Sequence, residues 1–306
     1  KVTGIAFSKD GRKIAAYIPG ESITIWDSGS GQQLLIISGV SDSESGIAFS
    51  PEGDYLVGSS GALGATIWDA NTGTVVLALL DSSPITSAAF LQDGDYLGTA
   101  AMDGSATLWE MKSGRQILKI PGQSTQLKFS AFSQDGRQLA MGSDDGTTRI
   151  WDLTASGSAE LFTIAAHEGE VYDVIYNATG TRIASSGEDG IVKIWDSATG
   201  ELIHSLPGRP DGLHIVAFSP DGEQLAVVND LGGVSLWDVN AGKEQLTLTG
   251  NSSSISAITY RPDGRQLAAA TGLEGAAYIW DTSNGYLLAS FENETGIMDL
   301  DYTLDG

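Results

Sequence analysis

The chain has 306 residues, and its 39 acidic against 16 basic residues give a formal net charge of -23 at pH 7. Such a charge repels the phosphates of nucleic acids and the surfaces of anionic membranes, so neither is an expected partner. The absence of cysteine excludes disulfides, thiolate metal sites and thiol catalysis.

No apolar run is long enough to span a bilayer and no secretory signal begins at Lys1, so a cytoplasmic location is expected. Because the first residue is not Met, we expect a processed product or a segment of a longer protein.

Tryptophan recurs along the whole chain at one interval. Successive tryptophans are 41 to 44 residues apart, and each is followed by an acidic residue. The seven are Trp26, Trp68, Trp109, Trp151, Trp195, Trp237 and Trp280. A period near 42 residues is typical of one four-stranded propeller blade. The pattern therefore predicts an all-β repeat protein in which neighbouring blades bury each other's faces.

Each repeat contains four short apolar segments in the same order. A first segment such as Ile5-Ala6-Phe7 ends on an aromatic residue. A turn follows it, as at Asp10-Gly11, where glycine supplies the positive φ that a tight reversal needs. Three more segments then follow in order, and the third segment of each repeat ends on the tryptophan. No segment has a helical period, so all four are predicted to be strands.

This arrangement resembles the WD-repeat (β-transducin-like) family, in the style of bacterial multidomain regulators, and the resemblance covers nearly the whole chain. It implies an all-β fold, a β-propeller of four-stranded antiparallel blades. The first strand of each blade would line a central channel, and the fourth would lie at the rim. We expect seven blades from residues 1–293. Residues 294–306 are expected to begin an eighth repeat or a following propeller.

The C-terminal end departs from a simple seven-bladed ring. First-strand patterns occur eight times, at residues 2–7, 44–49, 85–90, 127–132, 171–176, 213–218, 255–260 and 297–302. Complete sets of four strands occur seven times, so the last pattern is an extra, unfinished first strand. In a seven-bladed ring its place is already held by the first pattern. Three interpretations stay open here: a second propeller, an eight-bladed ring, or an unusual pairing.

The resemblance also implies a hydrogen-bond network within each blade. In the family, a His before the first strand joins a Ser or Thr of the second strand, an Asp of the next turn and the Trp. Only the fifth repeat has all four residues, namely His167, Ser185, Asp189 and Trp195. A buried, fully bonded network stiffens its surroundings. The fifth repeat is therefore predicted to be the most rigid, while repeats one, two, six and seven are predicted to rely on apolar packing.

The sequence contains no motif for catalysis or for a cofactor. His167 is explained by the network, His204 lies in a predicted rim strand, and His214 stands at the channel end of a predicted first strand. Three His residues far apart do not have the spacing of a zinc site. The acidic clusters lack the regularly spaced Asp ligands of a calcium-binding loop. No catalytic residue, metal or cofactor is therefore predicted.

WD-repeat proteins mostly bind partners on the face formed by the loops between fourth and first strands and between second and third strands. The resemblance assigns contact positions on this face, and in repeats four to six they hold acids beside an aromatic and a histidine. These predicted partner-binding residues are Asp144, Glu170, Tyr172, Glu188, His214 and Asp230. Aromatic side chains anchor a partner and charges steer it, so a basic partner is expected. The alternative is that these acids only keep an acidic protein soluble.

Together the patterns predict a non-catalytic interaction or sensor module within a larger signalling or regulatory protein, with a protein or peptide as its partner. The alternative is an enzyme, or a propeller that binds a small ligand or metal at the mouth of its channel. That alternative needs several ionisable groups converging at the mouth with shifted pKa values.

Overall fold

A computed structural model describes residues 4–18, 20–40, 47–59, 64–81, 83–91, 94–122, 127–153, 159–208, 215–229, 232–249, 255–272, 275–292, 300 and 302. Within these ranges the chain forms seven four-stranded antiparallel sheets, each built from strands that are consecutive in sequence. The sheets are blades one to seven of a β-propeller, and no α-helix occurs in the same ranges. The predicted all-β propeller is confirmed.

The strands occupy equivalent positions in the seven blades. The first strands are β1 (Gly4–Phe7), β5 (Ile47–Phe49), β9 (Ile85–Leu91), β13 (Leu127–Phe132), β17 (Val171–Tyr176), β21 (Val216–Phe218) and β25 (Ile255–Tyr260). The second strands are β2 (Lys13–Ile18), β6 (Tyr55–Ser59), β10 (Tyr96–Ala101), β14 (Gln138–Ser143), β18 (Arg182–Gly187), β22 (Gln224–Val228) and β26 (Gln266–Thr271). The third strands are β3 (Ser22–Asp27), β7 (Gly64–Asp69), β11 (Ala106–Glu110), β15 (Thr147–Asp152), β19 (Ile191–Asp196), β23 (Val234–Asp238) and β27 (Ala276–Asp281). The fourth strands are β4 (Gln33–Ser38), β8 (Val75–Leu80), β12 (Arg115–Ile120), β16 (Ala159–Ala165), β20 (Leu202–Pro207), β24 (Lys243–Leu248) and β28 (Leu287–Glu292).

All seven tryptophans lie in third strands, as the spacing predicts. In each blade the register between third and fourth strands shifts at the tryptophan, as between Ile25 and Trp26 or between Ile194 and Trp195. The turns between first and second strands use glycine as expected: Gly11 and Gly222 have φ of 69° and 74°. Asp10 supports its turn by accepting a hydrogen bond from the Ser8 hydroxyl at 2.7 Å.

The hydrophobic core lies between blades rather than within them. Between blades one and two, for example, Ile25 of the first blade packs with Leu56 and Trp68 of the second. Equivalent clusters join blades two and three, three and four, four and five, five and six, and six and seven. Each tryptophan from blade two onward thus packs on the blade that precedes it, which explains why the residue recurs once per repeat.

The junction between blades seven and one is different. In the part of the chain that the structure describes, no buried hydrophobic cluster joins these two blades. Of the predicted extra strand at residues 297–302, the structure describes Leu300 and Tyr302, and neither lies in a β-strand. First strands here pair only with the second strand of their own blade.

Candidate functional site

The fifth blade brings its four predicted network residues into one line of hydrogen bonds. His167 lies between β16 and β17, and its Nδ1 is 2.9 Å from Oδ1 of Asp189. Its Nε2 is 2.8 Å from Oγ of Ser185. The indole Nε1–H of Trp195 donates to the same Oγ at 2.9 Å. The network thus ties two strands and two loops of the blade together.

The bonding pattern fixes which nitrogen of His167 carries the proton. A carboxylate only accepts hydrogen bonds, so Nδ1 donates to Asp189 and Nε2 accepts from the Ser185 hydroxyl. Burial lowers the pKa of His167, against the opposing effect of Asp189, so the ring is neutral in the folded state. Burial alone would raise the pKa of Asp189, but the hydrogen bonds from His167 and from the backbone N–H groups of Glu168 and Ile191 outweigh it and lower that pKa.

Two further residues belong to this network. A Cβ atom added to Gly187 would lie 2.3 Å from Cγ of His167, so only glycine leaves room for the ring. The Lys193 ammonium donates to the carbonyl of Ala166 and lies 6.0 Å from the centre of the Trp195 ring. Neither contact follows from the spacing of motifs in the sequence, because each depends on how close two strands approach.

Two of the predicted partner-binding acids meet beside the network, on the face of the loops. The backbone N–H of Glu188 donates to the carbonyl of Glu170 at 2.8 Å. The backbone N–H of Glu170 donates in turn to Oε2 of Glu188 at 3.2 Å. Gly169, which precedes Glu170, has φ of 103°, and a Cβ there would be 2.4 Å from Oε2 of Glu188. The Glu188 side chain is exposed, and that of Glu170 is half-buried.

Tyr172 lies beside these two acids because of a β-bulge. Val171 pairs with Gly187 and Asp173 pairs with Ser186, so Tyr172 is the extra residue between two paired neighbours. A bulge re-aims a side chain out of the regular ladder. Burial, and then the negative charges of Glu188 and Glu170, raise the pKa of Tyr172. The aromatic ring therefore sits in the negative potential of both carboxylates, and we call Glu170, Tyr172 and Glu188 the acidic sector.

Asp144 lies on a neighbouring turn. It belongs to the turn between β14 and β15, in which the carbonyl of Gly146 accepts hydrogen bonds at 3.0 Å from the N–H groups of Ala166 and His167. The turn is thus hydrogen-bonded to the loop that leads to Glu170. The other two predicted residues, His214 and Asp230, lie outside the described residues.

Five segments of the chain match a family model described as "WD domain, G-beta repeat": residues 74–110, 114–152, 158–196, 200–238 and 242–281. The chain belongs to the WD-repeat family. Curated protein sequences give no match. Among solved structures the chain is similar to a crystal structure of the computationally designed Ika8 protein, with a TM-score of 0.86 and 22% identity over 99% of this chain and 90% of that chain. At that identity the similarity shows the fold alone.

Other blades of this WD-repeat protein carry variants of the network. In blade three, Trp109 donates to the Thr99 hydroxyl at 2.9 Å. Asp81 stands where the fifth blade has His167, and its buried carboxylate pairs with Lys119 at 3.1 Å. The Thr107 hydroxyl donates to Asp81 at 3.2 Å. This pair was not anticipated from the sequence.

Asp173, next to Tyr172, is a further titratable group that the sequence motifs do not reveal. Its carboxylate accepts a hydrogen bond from the N–H of Val174 at 2.8 Å, and one from the backbone N–H of Val216 in blade six. Burial outweighs these bonds and raises the pKa of Asp173 to about 7. The residue thus links two WD-repeat blades through a carboxyl group that folding favours in its protonated form.

In the described ranges of the WD-repeat chain, no group of three or more His, Cys, Asp or Glu side chains has the arrangement of a metal site. His204 is half-buried at the rim, where its Nε2 is 3.0 Å from the carbonyl oxygen of Asn240 in the next blade. Within the same ranges, no helix is long and apolar enough to cross a membrane.

Proposed function

We propose that this protein is a non-catalytic interaction or sensor module of a larger regulatory protein, and that its acidic sector binds a basic segment of a partner protein or peptide. WD-repeat propellers are commonly protein-interaction modules, and the chain belongs to that family. The observation that supports this location is the placement of Tyr172 beside Glu170 and Glu188, whose charges act on its hydroxyl.

The chemistry of the acidic sector suits an Arg or Lys side chain. A cation over the face of an exposed tyrosine ring gains about 0.5–1 kcal/mol, and two nearby carboxylates add charge attraction. A single ion pair at an exposed surface contributes only about 0–1 kcal/mol, so a partner segment needs several basic residues. The net charge of -23 favours the same partners by attracting them over longer distances.

A selection of random peptides on the immobilised propeller tests this proposal. We expect enriched peptides to carry two or more Arg or Lys residues. Their affinity should fall at least about tenfold for a Glu170→Lys/Glu188→Lys variant, because charge reversal replaces attraction by repulsion. The matched control is Glu201→Lys/Glu244→Lys, which changes the net charge equally at exposed positions next to or within the fourth strands of blades five and six.

The two variants separate a local site from a general charge effect. Equal losses for both variants would mean that the overall charge alone attracts the peptides. Enrichment of neutral or acidic peptides, or peptides that bind the charge-reversed variant unchanged, would contradict the proposed site. Folding of both variants is checked by thermal unfolding before affinities are compared.

A further inference from the structure

Blade seven exposes the face that every other blade buries against its successor. In blades one to six, one apolar side chain near the end of the fourth strand is exposed by only 0–7%: Ile37, Leu79, Ile120, Ile164, Leu206 and Leu248. Leu248 pairs with Val234, and in the same register Phe291 pairs with Ala277. Phe291 is 57% exposed. A large aromatic residue at a core position is therefore left in solvent.

Blade one exposes the opposite side of the same junction. In blades two to seven, one residue of the second strand is fully buried against the preceding blade: Leu56, Leu97, Leu139, Ile183, Leu225 and Leu267. The equivalent Ile14 is only half-buried, and so is Trp26, whereas the other six tryptophans are buried. A Cβ at Gly73 would lie 3.3 Å from Leu35 of the preceding blade, but one at Gly31 would meet no atom within 4 Å.

Tyr302 lies near blade seven in the same way that the last aromatic residue of a first strand lies near the preceding blade. Asp135 of blade four raises the pKa of Tyr176 in blade five, and Asp221 of blade six raises that of Tyr260 in blade seven, each after the larger effect of burial. Burial also raises the pKa of Tyr302, Arg261 lowers it, and Asp263, at the equivalent turn of blade seven, raises it as Asp135 and Asp221 do for the other two tyrosines. The hydroxyl oxygens of Tyr176, Tyr260 and Tyr302 are all buried.

The sequence around Tyr302 has the spacing of another repeat. Tyr302 follows Tyr260 by 42 residues, as Tyr260 follows Phe218, and Asp305-Gly306 stands where Asp221-Gly222 follows Phe218. The described residues thus place Tyr302, which has the spacing of a first-strand aromatic residue, near the first turn of blade seven.

We propose that the faces of blades seven and one are docking surfaces for an eighth blade of the same chain, to whose first strand Tyr302 belongs. The occupant is a WD repeat whose third-strand tryptophan packs near Phe291 and whose fourth strand covers Ile14 and Trp26. A second copy of the protein is the less suitable occupant, because Tyr302 of the chain itself already holds the first-strand position.

An extended chain tests the proposal. Residues 223–250 complete the sixth repeat after Asp221-Gly222, so a copy of them joined to Gly306 supplies the missing second, third and fourth strands. We expect the thermal unfolding midpoint to rise by several degrees, because two apolar faces become buried. The control extension has the same length, with serine in place of the copied Leu225 and Trp237, and should give no rise.

A second substitution shows whether the added blade docks where proposed. Phe291→Ser should lower the unfolding midpoint of the extended chain clearly more than that of the 306-residue chain, where the ring is already exposed. The proposal is overturned if the active extension and its serine control give the same midpoint. It is also overturned if light scattering shows that the 306-residue chain is a dimer that Phe291→Ser converts to a monomer, because a second copy would then be the occupant.

Discussion

At the scale of single residues, the surroundings of His167 make it a structural rather than a reactive side chain. Both ring nitrogens are bonded, and the ring fills the space left by Gly187. His167→Ala should lower the free energy of unfolding by about 1–3 kcal/mol, because Ser185 and Asp189 lose a partner inside the protein. Urea unfolding measures the change, with His204→Ala at the half-buried rim as the control and an expected loss below about 1 kcal/mol. Equal losses for the two variants would refute the special role of the network.

Asp173 gives a prediction about pH. Its folded-state pKa of about 7 lies above the ordinary value of 3.8, so folding favours the protonated form. Stability from this group is therefore present below pH 4 and is lost as the pH rises through 7. Asp173→Asn stays neutral and keeps an oxygen acceptor for the two backbone N–H groups. Between pH 5 and pH 8, the free energy of unfolding of the variant should rise by about 1–3 kcal/mol relative to that of the wild type.

Urea unfolding at the two pH values measures this difference. His167 responds in the opposite direction, since a lowered pKa removes stability as the pH falls below 6.5, but it is present in both proteins and its effect cancels. A stability difference between variant and wild type that does not change with pH would show that Asp173 titrates normally.

The predictions made from the sequence differ most from the structure at the scale of single residues. The family resemblance suffices to predict the network of His167, Ser185, Asp189 and Trp195, because all four stand at the positions that it assigns within one repeat. The bulge at Tyr172 has no sequence signal, since it arises from the register between β17 and β18. The burial of Asp173 depends on a neighbouring blade, which a pattern within one repeat does not describe.

At the scale of strands and blades, close contacts between blades decide which glycines are required. Gly98 lies in β10 of blade three, and a Cβ there would lie 2.2 Å from the Phe132 ring of blade four. Gly98→Ala should cost about 1–3 kcal/mol of stability, because an overpacked core must shift. Thermal or urea unfolding measures the loss. Gly29→Ala is the control, since the nearest atom would be Asp27 Oδ1 at 3.7 Å; a similar loss in both variants would contradict the contact.

The strands themselves were predictable, and the contacts between them were not. A repeated Trp marks the third strand of each blade and a repeated Gly marks the first turn, and the structure confirms both. Gly98 and Phe132 are 34 residues apart in different repeats. Their contact follows from how two blades stack, which depends on the size of side chains on both faces.

At the scale of the whole molecule, one period specifies the propeller, and the ends of the chain decide how the ring closes. Six junctions have a buried core because each blade brings the same apolar residues to its neighbour. The seventh junction leaves Phe291 exposed, which the sequence does not reveal because its repeat looks complete. Likewise, the sequence assigned six residues to a binding face, and the structure shows the close arrangement of Glu170, Tyr172 and Glu188.

The proposal that the acidic sector attracts a basic partner is tested most directly by association rates at different salt concentrations. A basic peptide selected on the propeller should associate more slowly with Glu170→Lys/Glu188→Lys than with the wild type at about 20 mM salt. Raising the salt to about 500 mM shortens the Debye length to about 4 Å and should shrink this difference towards the short-range contribution. Stopped-flow fluorescence measures both rates. An association rate that is the same for both proteins, and independent of salt, would contradict the account.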